Sequence, residues 1–98
     1  MTIQEMKRMN KEAGQFWFSP QTLRFFNSRI SSLVVQAEQN EDLKLFVTSE
    51  RMDWNSPRLY SVRVFNYSTC KVDTVGEFQE YATLEDAKAA AKRLAKTM

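Results

Sequence analysis

The chain has no histidine, one cysteine, two glycines and two prolines in 98 residues. Without histidine there is no His-ligated metal site, no zinc finger of the Cys2His2 type and no Ser-His-Asp or Cys-His nucleophile. A single cysteine forms no disulfide framework. No glycine-rich phosphate loop is present, because neither Gly14 nor Gly76 has a second glycine nearby. Apolar runs are short, Leu33-Val34-Val35 being typical, so nothing is long enough to span a bilayer. No basic start leads into an apolar core of a secretory signal. Catalytic, metal-binding and cofactor-binding residues are therefore assigned to none of the positions, and the expected class is a soluble, cytoplasmic binding protein rather than an enzyme.

What is there suits one packed domain. Hydrophobic residues make up 43% and aromatics 12%, too much for a disordered tail. Lys and Arg number 14 against 12 Asp and Glu, a formal charge of +2. Split at residue 49, the halves carry six cations against five anions, then eight against seven, so neither half is basic. No composition shift or repeat divides the chain, and residues 1–98 are expected to form a single α+β domain.

Punctuation is sparse and each signal counts. Thr2-Ile3-Gln4-Glu5 has capping-box spacing, Ile3, Met6 and Met9 recur at helical intervals, and Gly14 is a stop, so a short helix is expected over residues 3–13, with 1–13 prone to fray. Ser19-Pro20 pairs an N-cap with proline at the first helical position, and Leu23, Phe26 and Ile30 share a face, which predicts a second helix over 20–31. From residue 33 the period changes to two. Strands are expected at 33–38, 43–50 and 58–66, then a turn at Tyr67-Ser68-Thr69-Cys70 and a return strand over 71–81 in which Gly76 marks a bulge. Thr83 opens a C-terminal helix striped with Leu84, Ala87, Ala91, Leu94 and Met98. The expected fold is an antiparallel three- to four-stranded sheet with two short N-terminal helices and a C-terminal helix packed on it.

The carboxylate pairs Glu50 with Asp53 and Glu77 with Glu80 fall at strand ends or turns, where acids sit in water rather than in the perturbed surroundings a general acid needs. Cys70 lies in the predicted turn with no histidine to activate it. Trp54, in contrast, lies in the polar loop Arg51-Met52-Asp53-Trp54-Asn55-Ser56-Pro57-Arg58. Tryptophan with flanking arginines is the composition of an interface hot spot, although the same residue can fold back as a lid over the sheet. Arg24, Arg29, Arg51, Trp54 and Arg58 are thus the expected partner-binding residues. The alternative is a nucleic-acid site in which Arg58, Arg63 and Lys71 face a duplex from the sheet, against which stands the small net charge. The sequence leaves open whether the chain is a monomer or a homodimer, and which sheet face the last helix covers.

The blocks Gly14-Gln15-Phe16-Trp17-Phe18-Ser19, Thr22-Leu23-Arg24-Phe25-Phe26-Asn27-Ser28-Arg29, Phe46-Val47-Thr48-Ser49-Glu50, Arg58-Leu59-Tyr60-Ser61-Val62-Arg63 and Val75-Gly76-Glu77-Phe78-Gln79 together resemble a family of small bacteriophage and prophage accessory proteins. The resemblance covers most of residues 14–80. It implies a viral protein acting in the cytoplasm of an infected bacterial host by binding a host or phage macromolecule, with inhibitors of CRISPR and other defences among the precedents. With a net charge of +2 the chain is not an acidic mimic of DNA.

Overall fold

The computed structural model describes residues 2–15, 27–51 and 53–98. Helix α1 (Ile3–Glu12) comes first, followed by strands β1 (Asn27–Gln36), β2 (Leu43–Arg51), β3 (Leu59–Asn66) and β4 (Lys71–Val75), then helix α2 (Leu84–Ala95). The strands form one antiparallel sheet in the order β1-β2-β3-β4, each paired with the next in sequence. The domain is α+β.

α1 begins as its sequence directs. The Thr2 hydroxyl accepts from the Glu5 amide at 3.2 Å and donates to the Glu5 carboxylate, and Gly14 follows in the left-handed region at φ 73°. Its inward face holds Met6, which is buried against Phe46 and Phe65 of the sheet. Asn10 donates to the Cys70 carbonyl at 2.7 Å and so ties the helix to the β3–β4 turn. Met6 and Asn10 are thus the two buried residues of the helix.

β1 corrects the second predicted helix. Residues 27–31, assigned to a helix over 20–31, are strand, and the separate strand expected at 33–38 is the second half of the same element. Residues 20–26 lie outside the described residues. The Leu23/Phe26/Ile30 spacing suits a helix, but Asn27-Ser28-Arg29-Ile30-Ser31-Ser32 is rich in weak helix formers. A full ladder to β2 outweighs that spacing. β1 pairs Ile30 with Thr48 and then Val34 with Phe46, so the three residues 31–33 of β1 stand against Val47 alone and a bulge absorbs the excess.

β4 also departs from expectation. It ends at Val75 instead of running to residue 81. Gly76 takes φ 76°, and residues 76–80 leave the sheet before Tyr81 returns to exchange both backbone hydrogen bonds with Tyr60. The excursion is closed by Glu80, whose carboxylate accepts from the Glu77 amide at 2.9 Å.

β2 is buried along almost its whole length because both sheet faces are covered. α2 lies over β1, β2 and β3, and its buried Ala87, Ala90, Ala91 and Ala95 let the helix approach Leu45, Val47 and Val62 closely. Thr83 caps the helix, accepting from the Asp86 amide at 3.1 Å. The Glu38 and Gln39 amides satisfy the Ala95 and Met98 carbonyls at its other end. The opposite face carries Phe46 and Phe65 under α1. Further along that face the side chains turn polar: Thr48, Glu50, Ser61 and Arg63 are all buried.

Candidate functional site

The β2–β3 connection is a built loop. Asp53 Oδ1 accepts from the Asn55 amide at 2.9 Å, the Ser56 amide at 2.8 Å and the Ser56 hydroxyl at 3.0 Å. This is the Asx-turn chemistry by which an aspartate organises the chain just after itself. Held on that turn, Trp54 is 79% exposed, the most exposed of the large apolar side chains described. The Arg51 guanidinium lies 4.2 Å from the centroid of its ring, within cation–π range. Arg58 is anchored at the base, its Nη1 donating to the Ser49 carbonyl at 3.1 Å and hydroxyl at 3.2 Å. Of the two readings the sequence allows for Trp54, the structure has the indole out in solvent rather than folded over the sheet.

Hydrogen bonding from Ser56, first through its hydroxyl, then from the Asn55 and Ser56 amides, with a smaller contribution from Arg51, holds the Asp53 carboxyl below the ordinary aspartate value of 3.8. A carboxylate whose pKa is depressed by folding stabilises the fold above its unfolded value, and that contribution is lost as pH falls through the depressed value. The loop should therefore keep its geometry under mildly acidic conditions. In a Trp17→Phe variant, where Trp54 is the remaining indole, an acid titration followed by fluorescence is expected to show a transition centred below pH 3.8. A transition centred above that value would refute the assignment.

The alternative set is not assembled by the fold. Arg63 is 8% exposed, and its guanidinium is spent inside the protein. Nη2 pairs with the Glu50 carboxylate at 3.1 Å, Nε donates to Thr48 Oγ1 at 3.0 Å, and Nη1 donates to Thr74 Oγ1 at 2.6 Å. The Phe78 ring stands 5.3 Å from the same guanidinium. Lys71 pairs with Asn66, three positions beyond Arg63 on β3, so alternation puts the two cations on opposite faces of the sheet. One duplex lying on one face would not meet both.

Among the remaining expected contacts, Arg29 pairs in the β1–β2 register with Ser49, the residue that Arg58 grips. Arg24 lies outside the described residues. The carboxylates Glu50 and Asp53 do not form a joint site, since Glu50 is buried under the sheet network and Asp53 is exposed in the turn. Among the described residues there is no group of three His, Cys, Asp or Glu side chains that could hold a metal, and no helix long and apolar enough to cross a membrane.

Sequence reasoning missed the Glu50–Arg63 network. Its signal was nevertheless present: Phe46-x-Thr48-x-Glu50 and Ser61-x-Arg63-x-Phe65 each put two polar residues in phase with a core aromatic. In-phase polar residues of opposite charge on neighbouring strands are a buried pair if the face is covered. Comparison with known proteins found no match among curated proteins or solved structures. A family model matches residues 2–92, nearly the whole chain and every element from α1 into α2. By that match the chain belongs to the family of unknown function DUF7447.

Proposed function

We propose that this is a small binding protein that engages a host or phage protein stoichiometrically, with the β2–β3 loop as its contact surface. The observation that carries the reading is Trp54, 79% exposed on a turn that three hydrogen bonds to Asp53 hold in place. An exposed indole costs solubility, and a pre-organised one binds without a large ordering penalty. Arg51 on the ring and Arg58 at the base add the other side chain favoured at interface hot spots, and Arg24 and Arg29 complete the proposed set. A phage accessory role in the bacterial cytoplasm, directed at a defence system such as CRISPR, rests on the sequence resemblance and on no feature of the geometry.

The test begins with a tagged chain recovered from bacterial lysate with and without nuclease, the partner being purified and measured by calorimetry. Trp54→Ala is expected to weaken binding by about 2 kcal/mol or more, roughly thirtyfold, with an unchanged unfolding midpoint. Unaltered affinity would remove the loop from the interface. Recovery of nucleic acid alone, bound with a steep salt dependence, would replace the reading with a nucleic-acid one.

A further inference from the structure

β4 is the last strand of the sheet, and among the described residues nothing pairs with its outer edge. Its outward hydrogen-bonding groups can be located from β3. Tyr60 exchanges both backbone hydrogen bonds with Tyr81, so Tyr60, Val62, Val64 and Asn66 turn their amides and carbonyls toward β4. Their partners Val75, Asp73 and Lys71 are consumed in that ladder, and by alternation Val72 and Thr74 turn theirs outward. An open row of this kind is a template for another strand.

The side chains of the edge choose among possible partners. Lys71 and Asp73 are exposed and share one sheet face, with charges of opposite sign two residues apart. Two copies meeting edge to edge antiparallel are related by a two-fold axis normal to the sheet, which keeps their faces matched and centres the pairing on one residue. Centred on Val72, the arrangement puts Lys71 opposite the partner's Asp73 and Asp73 opposite the partner's Lys71, while Val72 meets its own copy through two mutual hydrogen bonds. Centring on Asp73 opposes two aspartates, and centring on Lys71 opposes two lysines. Edge charges of a single sign repel every copy; these two repel all the neighbouring registers and satisfy one.

We propose that the occupant of this edge is a second copy of the chain, paired β4 to β4 about Val72 to give a continuous eight-stranded sheet with reciprocal Lys71–Asp73 pairs. The surface is separate from the Trp54 loop, so the dimer presents two such loops.

The experiment is sedimentation velocity from micromolar to millimolar concentration on four proteins: wild type, Lys71→Asp, Asp73→Lys and the double exchange Lys71→Asp/Asp73→Lys. The wild type is expected to dimerise reversibly. Each single exchange turns both symmetric pairs repulsive and should weaken association about tenfold or more. The double exchange recreates the pairs with the signs reversed and should restore the dimer. Hydrogen exchange supplies a second readout: the Val72 and Thr74 amides become protected at concentrations where the dimer forms and stay open in the single variants. Circular dichroism confirms that each variant is folded, the altered side chains being exposed. A wild type that stays monomeric at millimolar concentration, single variants that dimerise as well as wild type, or a folded double variant that remains monomeric would each overturn the proposal.

Discussion

Arg63→Met is expected to lose about 3–5 kcal/mol of folding stability, read as a fall in the urea midpoint at an unchanged slope. A domain of this size has about 5–15 kcal/mol in all, so the loss is a large share of the total. Glu50 is fully buried, and the Arg63 guanidinium 3.1 Å from its carboxylate is the only ion-pair partner it has among the described residues. Removing the cation strands the anion without its counter-charge and leaves Thr48 and Thr74 without their donor. Most of the expected cost is that stranding, not the worth of the pair. It follows that Glu50→Leu/Arg63→Met, with both charges replaced by apolar side chains, should be more stable than Arg63→Met alone by about 2 kcal/mol or more. A single variant within about 1 kcal/mol of wild type, or a double variant no better than the single, would show that water reaches the pair and that its burial is not what holds this end of the sheet.

Phe46→Ala is expected to cost a comparable amount, about 3–5 kcal/mol, by a different route. The sheet face under α1 holds three fully buried apolar side chains among the described residues, Met6, Phe46 and Phe65, with Ile3, Met9, Val34 and Val72 around them. Removing the phenyl ring opens a cavity directly beneath the helix. On the other face, four alanines of α2 and three aliphatic residues of β2 and β3 form a separate cluster that the substitution does not touch. The effect should therefore be uneven. The α1 amides are expected to exchange by local opening well before global unfolding, while those of α2 continue to report the global value. Equal loss of protection in both helices would mean that the two clusters act as one cooperative unit.

The α1 and α2 boundaries were legible from local chemistry because their determinants are local. Thr2 and Thr83 cap within three residues, Gly14 stops within two, and the apolar stripes lie on single helical faces. β2 and β3 were legible for the same kind of reason, since alternation is a property of a few neighbouring residues. β1 was not. Its helical spacing and its strand pairing are both consistent with the residues from 27 to 31, and the choice between them lies in β2, twenty residues further on. The end of β4 was half legible: Gly76 marked an irregularity, but only Tyr60 holding Tyr81 reveals that the chain leaves the sheet and returns.

The site residues divide in the same way. Asp53-Trp54-Asn55-Ser56 carries its own turn chemistry, and so an organised loop between two strands is written in four consecutive residues. Whether its indole faces water or the core depends on whether the sheet end has room for it, and the neighbouring strands decide that. Arg58, Arg63 and Lys71 look equivalent in a list of cations, yet one grips Ser49, one is sealed against Glu50 and one stands on the opposite face. By itself, then, the sequence determined the fold class, both helix caps, the central strands and the exclusion of histidine and disulfide chemistry, because composition, capping and periodicity act over one or two turns of chain. The tertiary structure alone decided that residues 27–31 are strand, which arginine is buried, that Trp54 is exposed and that, among the described residues, nothing pairs with the outer edge of β4. Each of those depends on groups far apart in sequence, whose pairing or burial no local pattern encodes.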